Sequence, residues 1–170
     1  MQESSEISIK LSRTCSKIHE LQKAHKIIQS ISNLEQNIEL NQRRWIWELI
    51  SNARSVAVNS KIKIKIELLK NSLCFTHNGR PFTTDDLICL IEQISLKDIK
   101  FEENAYKNPG VGFIATNLLS RTVRITSIWR GEKKGKEIFK RFELELKRTP
   151  NDILQNLEKA FEIFDDLKNG

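Results

Sequence analysis

The sequence is poor in proline, glycine and cysteine, and each scarcity excludes a class of protein. Three prolines and six glycines among 170 residues are too few for a collagen-like or long disordered chain. The three cysteines, Cys15, Cys74 and Cys89, form no C-x-x-C pair. This argues against a disulfide framework or a structural zinc site and predicts a reduced, cytoplasmic setting. No apolar run approaches the length of a membrane span, and the first ten residues lack the apolar core of a secretory signal.

The composition predicts one domain of ordinary size. Apolar residues make up 39% of the chain, which is enough for a hydrophobic core. Lysine and arginine outnumber aspartate and glutamate by 28 to 22, for a net charge of +6. A basic balance of this size is compatible with nucleic acid, a nucleotide or an acidic partner, and it does not choose among them.

Hydrophobic spacing predicts the order of the elements. Apolar residues recur every three or four positions over residues 14–38 and again over 41–58, which predicts two helices, the second of them largely buried. Strict alternation over 61–68 predicts a strand with one buried face, and 73–76 is its returning partner.

The second half of the chain continues this pattern. Thr83, followed by Asp86 three residues later, predicts the capped start of a helix. The further predicted elements are a mobile loop over 95–109, a helix over 113–119, a hairpin of strands over 122–129 and 137–146 with its turn marked by Gly131 and Gly135, and a last helix that starts at Thr149. This order predicts an α+β fold in which helices pack on one face of a mixed, mostly antiparallel sheet.

Two polar side chains interrupt the second predicted helix. Glu48 and Asn52 are four residues apart, a spacing that places both on one face of a helix, about 6 Å apart. A carboxylate can orient and deprotonate a water molecule, and an amide oxygen is a suitable ligand for Mg²⁺. For these two residues alone, a polar helix edge bonded to its neighbours is the better explanation.

A short loop follows the strand predicted over 73–76. It begins with His77, Asn78 and Gly79, and a strand end followed by glycine is a common ligand position because glycine lets a flat base approach the backbone. An ordinary turn explains the same residues and, without further evidence, explains them better.

A pair of glycines precedes the helix predicted over 113–119. Gly110, Val111, Gly112 and Phe113 open that helix, where bare N–H groups and the positive end of the helix dipole can bind a phosphate. The pattern lacks the Lys-Ser/Thr of a P-loop and the third glycine of a dinucleotide fingerprint, so alone it is a weak indication.

The order of these three motifs is more specific than any one of them. A Glu-x-x-x-Asn helix, an Asn-Gly loop after a strand and a Gly-x-Gly-Phe helix start resemble the GHKL ATPase superfamily, which contains gyrase B, the ninety-kilodalton heat-shock chaperone, histidine kinases and the MutL mismatch-repair proteins. The sequence resembles most the chaperone-like branch that includes the sacsin N-terminal ATPase domain. The segments that carry the resemblance are RRWIWELISNA at 43–53, HNGRPFT at 77–83 and GVGFIATNLLS at 110–120.

The resemblance implies a Bergerat-type two-layer α/β sandwich that binds ATP and Mg²⁺ under a mobile lid and switches conformation. Glu48 would be the general base that activates water, and Asn52 would coordinate the Mg²⁺ that bridges the ATP phosphates. Residues 1–38 would form an N-terminal helical extension and 39–170 the nucleotide-binding domain, as the N-terminal part of a longer protein. The resemblance also allows a homodimer, or partners among the further domains of that longer chain.

The resemblance also assigns the remaining contacts with the nucleotide. His77 stands where most members have the aspartate that accepts the adenine amino group, and Asn78 could share or take that role. Gly79 would leave room for the base, and Lys97 would reach a phosphate from the lid. Gly110, Val111, Gly112 and Phe113 would present backbone N–H groups to the phosphates.

Departures from the family pattern leave two alternatives open. Residues 106–109 lack a glycine and a phenylalanine of the family's lid motif, and Ser55 replaces an aspartate. These changes affect turnover more than binding, so we expect slow or absent hydrolysis. The first alternative is a degenerate, non-hydrolysing scaffold module. The second is a basic nucleic-acid-binding domain that uses the lysines and arginine of 133–141.

Overall fold

The computed structural model describes residues 2–93 and 112–169, with side chains described from residue 17 onward. The elements in chain order are α1 (Gln2–Gln36), α2 (Ile38–Asn41), α3 (Arg44–Ser55), β1 (Ile64–Leu68), β2 (Leu73–His77), α4 (Thr84–Glu92), a 3₁₀ helix named η1 (Ile114–Leu118), β3 (Thr122–Lys133), β4 (Lys136–Lys147) and α5 (Ile153–Asn169). The predicted α+β class is confirmed. Of the helices in these ranges, none has the length and hydropathy that crossing a membrane requires.

The core lies between the C-terminal half of α1, α4, α5 and the β3–β4 hairpin. Ala24, Ile27, Ile31 and Leu34 form one buried stripe of α1, spaced three or four residues apart, as an amphipathic helix requires. Ile18, one and a half turns before this stripe, is half exposed. The stripe packs in the same core as α5.

The described strands form two separate two-stranded antiparallel sheets, β1–β2 and β3–β4, where the sequence predicts one sheet. A short parallel bridge joins Phe82, in the segment after β2, to Trp129 on β3. Phe82 donates its N–H to Ile128 O (2.9 Å) and accepts from Arg130 N–H (2.8 Å). Antiparallel pairing is therefore confirmed, and the described strands do not form a single sheet with helices on one face.

The predicted buried face of β1 is only partly buried. Ile64 is half-buried, but Ile66 is about half exposed and Leu68 is 85% exposed. The alternation correctly predicts an extended strand, because side-chain direction has a period of two in any strand. The alternation does not determine burial, because burial requires another element to pack on the strand. Among the described residues, no element covers this end of β1.

Helix α3 is less buried than its apolar composition predicts. Only Ala53 is fully buried on it, and Trp47 is 68% exposed. Trp45, on another side of the helix, packs against the core. Apolar residues surround α3, but the described neighbours, chiefly η1 and α2, bury most of its residues only in part, and the face with Trp47 and Arg54 is exposed.

The β3–β4 hairpin is longer than the sequence predicts and turns at Lys134-Gly135. Both residues have positive φ, 52° and 73°, as a two-residue hairpin turn requires. Gly131 lies inside β3, paired with Ile138, and the prediction that it marks the turn is wrong. A Cβ at Gly131 would overlap the indole ring of Trp129, so this glycine makes room for a buried tryptophan.

Candidate functional site

Helix α3 carries the first motif. The Glu48 carboxylate pairs with Arg44 one turn earlier, Oε1 to Nε at 3.3 Å, and the Glu48 side chain is 24% exposed. The hydrogen bond at Asn52 uses its backbone carbonyl, which accepts from Ser55 Oγ at 2.7 Å. Within the described ranges the Asn52 carboxamide has no hydrogen-bond partner, so its oxygen remains available to a ligand.

The start of η1 meets α3 at Gly112. Gly112 is buried, and a Cβ built on it would overlap the carboxylate of Glu48. The first and third motifs, 64 positions apart in the sequence, are therefore in contact in the fold. Phe113 is half-buried against the core, and its carbonyl accepts from Thr116 Oγ1 at 2.7 Å. Lys97, Gly110 and Val111 lie outside the described residues.

The second motif begins at the end of β2. His77 is half-buried, and its Nδ1 accepts a hydrogen bond from the Gly79 N–H at 3.1 Å. Burial lowers the pKa of His77, so the ring is neutral at pH 7. Because Nδ1 of the neutral ring is the acceptor, the ring proton is on Nε2.

Gly79 is required by its neighbours. A Cβ at this position would lie 2.5 Å from Val56 Cγ2 and 2.9 Å from His77 Nδ1. Arg80 N–H also donates to the Val56 carbonyl at 2.9 Å. The space that the resemblance assigns to a base is here occupied by the end of α3, and Gly79 lets that end approach the loop.

Asn78 does not line the same space as His77. It is exposed, its Oδ1 accepts from Lys63 N–H at 2.7 Å, and its own N–H donates to the Lys63 carbonyl at 3.4 Å. The Asn78 side chain therefore extends the β1–β2 pairing by one residue. Of the two residues considered for reading a base, the structure places only His77 beside Asn52.

Asn52 and His77 line one small cleft. The other residues lining this cleft are Val56, Arg80, Phe82 and Asp86. Its volume is about 50 Å³, whereas small-molecule sites usually measure about 300–1,000 Å³. The cleft therefore accommodates only part of a nucleotide, and the rest requires movement of its walls or of neighbouring chain.

An ion pair at the edge of this cleft was missed by the sequence analysis. Arg80 forks onto Asp86, with Nη1 to Oδ2 at 2.5 Å and Nη2 to Oδ1 at 3.2 Å. Asp86 Oδ2 also accepts from the N–H and the hydroxyl of Thr83, each at 2.8 Å. The predicted capping box is confirmed. The sequence did not predict the ion pair with Arg80, because the spacing of Thr83 and Asp86 indicates a helix cap but gives no information on which side chain contacts Asp86.

The environment keeps both partners charged. Burial acts to raise the pKa of Asp86, but the hydrogen bonds from Arg80 and Thr83 outweigh it and hold that pKa below its ordinary value. The hydrogen bond to Asp86 raises the pKa of Arg80.

No group of three or more His, Cys, Asp and Glu side chains within the described ranges could hold a metal ion. A single amide oxygen such as that of Asn52 suits Mg²⁺ that is held mainly by phosphates and water.

Comparison with known proteins adds no relative. No family model matches the chain, and no curated protein and no solved structure is significantly similar to it.

Proposed function

We propose that this chain is the nucleotide-binding domain of a GHKL-type, chaperone-like ATPase with a Bergerat-type sandwich, and that it binds ATP with Mg²⁺. The observation that carries the proposal is the convergence of the three motifs. Glu48 touches Gly112, and Asn52, one turn from Glu48, lines a cleft with His77. The motifs at His77 and Gly112 each lie against the α3 motif, one beside Asn52 and the other beside Glu48, which supports one ligand site over unrelated turns.

The residues at this end of α3 have suitable chemistry for the two parts of a nucleotide. The carboxamide of Asn52, which has no hydrogen-bond partner among the described residues, would supply a neutral oxygen ligand for Mg²⁺. Val56 and Phe82 also line the cleft, and apolar walls suit a flat base better than phosphates.

Hydrolysis should be slow or absent. Arg44 holds one oxygen of the Glu48 carboxylate, and the other oxygen faces Gly112. A general base must be within hydrogen-bond reach of the water that it deprotonates. Glu48 would have to leave its present contacts first, so the geometry supports a binding switch more than rapid turnover.

The test is calorimetric titration with Mg-ADP and a non-hydrolysable ATP analogue. Wild-type protein should bind both, and Asn52→Ala should weaken binding by about tenfold or more, since it removes an oxygen ligand of the metal. Asn33→Ala is the matched control, because Asn33 is an exposed helical asparagine on α1 and its loss should not change affinity. Absence of binding by the wild type, or equal binding by Asn52→Ala, would contradict the proposal.

A second experiment separates binding from turnover. Glu48→Ala should keep nucleotide affinity and abolish any ATP hydrolysis that the wild type shows. Glu158→Ala, at an exposed position of α5, should change neither property. Equal hydrolysis by wild type and Glu48→Ala would exclude Glu48 as the general base and leave the binding proposal intact.

A further inference from the structure

The β3–β4 hairpin presents one face to the core and the other to solvent. Trp129 is buried on the inner side, whereas Ile128 is 47% and Phe139 is 57% exposed. Because side-chain direction alternates along a strand, the solvent side also carries the exposed Arg130 and Arg141. We call these four solvent-side residues the outer face. None of them lines the cleft beside Asn52, so the outer face is independent of the proposed nucleotide site.

Two arginines flank the exposed ring of Phe139. Arg130 lies directly opposite Phe139 across the hairpin, and Arg141 lies opposite Ile128, two residues after Phe139 on β4. Opposite residues of an antiparallel pair have Cβ atoms about 5 Å apart, and residues two apart on a strand are about 7 Å apart. A flat group stacked on the ring therefore lies next to two arginine positions.

Positive charge is concentrated at this end of the hairpin. Residues 130–141 contain six basic and two acidic side chains, so this segment holds a net charge of +4, against +6 for all 170 residues. Lys134 and Lys136, at the turn, are exposed, and Lys140 donates to a backbone carbonyl at the end of α5. Arg141 has no hydrogen-bond or ion-pair partner among the described residues, so its charge is available to an anion.

The carboxylates near the outer face do not cancel this charge. Glu143, next along the face away from the turn, is 3.4 Å from Arg124. Glu137 Oε1 is 3.6 Å from Arg130 Nη1, and both side chains are exposed, so this pair contributes little and opens readily to a stronger anion. Glu132 is opposite Glu137, on the turn side, where the lysines outnumber it.

We propose that the outer face binds single-stranded nucleic acid, with a base stacked on Phe139 and the neighbouring phosphates held by Arg130, Arg141 and the turn lysines. An exposed aromatic ring among cations suits such a ligand, because every base has a flat face and every phosphate a negative charge. The bases of a duplex are already stacked on one another, so single strands use the ring better. An acidic peptide would satisfy the arginines but leave the ring without a flat partner.

Fluorescence anisotropy with a short labelled oligothymidylate tests the role of the ring. Wild-type protein should bind it, and Phe139→Leu should weaken binding about tenfold, because leucine keeps an apolar side chain on the strand but removes the stacking ring. Phe139→Trp, which keeps a ring, should retain the affinity. Trp47→Leu is the matched control, since Trp47 is an exposed aromatic residue on α3 and its loss should have no effect.

The salt dependence of the same titration tests the phosphate contacts. Affinity should fall as salt rises, because phosphate contacts release counterions. Arg141→Gln should weaken binding and reduce the slope of log K against log salt by about 0.7, the value for one phosphate contact on a single strand. Arg54→Gln, at an exposed position of α3, should leave both unchanged. Oligouridylate in a parallel titration shows whether RNA or DNA binds more tightly, and tight binding of either supports the site.

Absence of binding by the wild type, or equal affinity of wild type and Phe139→Leu, would overturn the proposal. So would a duplex of the same length that binds as tightly as the single strand, or a polyglutamate peptide that displaces the oligonucleotide at an equal concentration of charge. Both results would mean charge attraction without stacking. Asn52→Ala, which tests the nucleotide site, should not change oligonucleotide affinity, so either proposal can fail without the other.

Discussion

Asp86 combines two structural roles in one carboxylate. It caps α4 through Thr83 and holds the Arg80 guanidinium at the edge of the cleft. Because these hydrogen bonds hold its pKa below the ordinary value despite burial, the folded protein binds a proton at Asp86 less readily than the unfolded chain does. Its contribution to stability is therefore present above its ordinary pKa and is lost as pH falls below that value.

Asp86→Asn should lower the free energy of unfolding at pH 7 by about 2–3 kcal/mol, the usual contribution of hydrogen bonds to a charged group. It should also make stability less dependent on pH between about 5 and 3. Urea unfolding at both ends of this range measures both effects. Asp165→Asn, on the exposed side of α5, is the control. A pH dependence as steep in Asp86→Asn as in the wild type would show that the carboxylate does not titrate as argued.

Because Gly112 contacts Glu48, we expect the effect of Gly112→Ala on stability to depend on whether Glu48 is present. Gly112→Ala places a Cβ against the end of the Glu48 side chain, so in the wild type the gain in helix propensity is offset by displacement of that side chain. In a Glu48→Ala background the obstacle is gone, and Gly112→Ala should stabilise by about 0.5–1 kcal/mol. A double-mutant cycle by chemical denaturation gives the difference. Equal effects in both backgrounds would mean that the two motifs do not touch.

At the scale of elements, the β3–β4 hairpin depends on a glycine within a strand. Trp129 is 2% exposed and its ring covers Gly131, so neither can move easily. Gly131→Ala should lower the free energy of unfolding by about 1–3 kcal/mol, as overpacking usually does. Gly135→Asn at the turn, where asparagine tolerates positive φ, should cost much less. Thermal unfolding followed by tryptophan fluorescence compares the two, and similar losses would contradict this role of Gly131.

Across the whole molecule, some features are determined by a few neighbouring residues, and others are determined by packing between distant segments. The cap of α4 was predictable, because Thr83 and Asp86 act within one turn of a helix. The common face of Glu48 and Asn52 follows from helical geometry in the same way. Each of these predictions needed fewer than six residues of sequence.

The remaining features depend on distant partners. Periodicity could not show that Trp47 lacks a neighbouring layer, or that the strands form two hairpins instead of one sheet. The sequence also does not show which side chain a glycine accommodates. Gly79 makes room for Val56, and Gly131 makes room for Trp129. Only the folded structure shows that His77 lies beside Asn52.

Arg148 ties three elements together at the centre of the molecule. It is fully buried at the end of β4 and donates to Ile91 O at the end of α4 (2.8 Å) and to Asn156 Oδ1 on α5 (3.2 Å). Burial lowers the pKa of Arg148 to about 10, so it is still charged at pH 7. Within residues 17–93 and 112–169 no carboxylate pairs with it, and its Nε has no partner. Among the described residues, the charge is therefore stabilised only by neutral acceptors.

Removing an acceptor of the buried Arg148 charge should therefore destabilise the protein more than removing the charge itself. Arg148→Met, which keeps an apolar stem of similar length, should change the free energy of unfolding by less than about 1 kcal/mol. Asn156→Ala should lower it by about 3 kcal/mol, because the guanidinium then loses one of its two acceptors and because Asn156 also bonds Lys147 N–H and Glu145 O. In the Arg148→Met background, Asn156→Ala should cost at least about 1 kcal/mol less. Additivity within about 0.5 kcal/mol would mean that the buried charge does not depend on Asn156, and that α4 and α5 are held together by apolar packing alone.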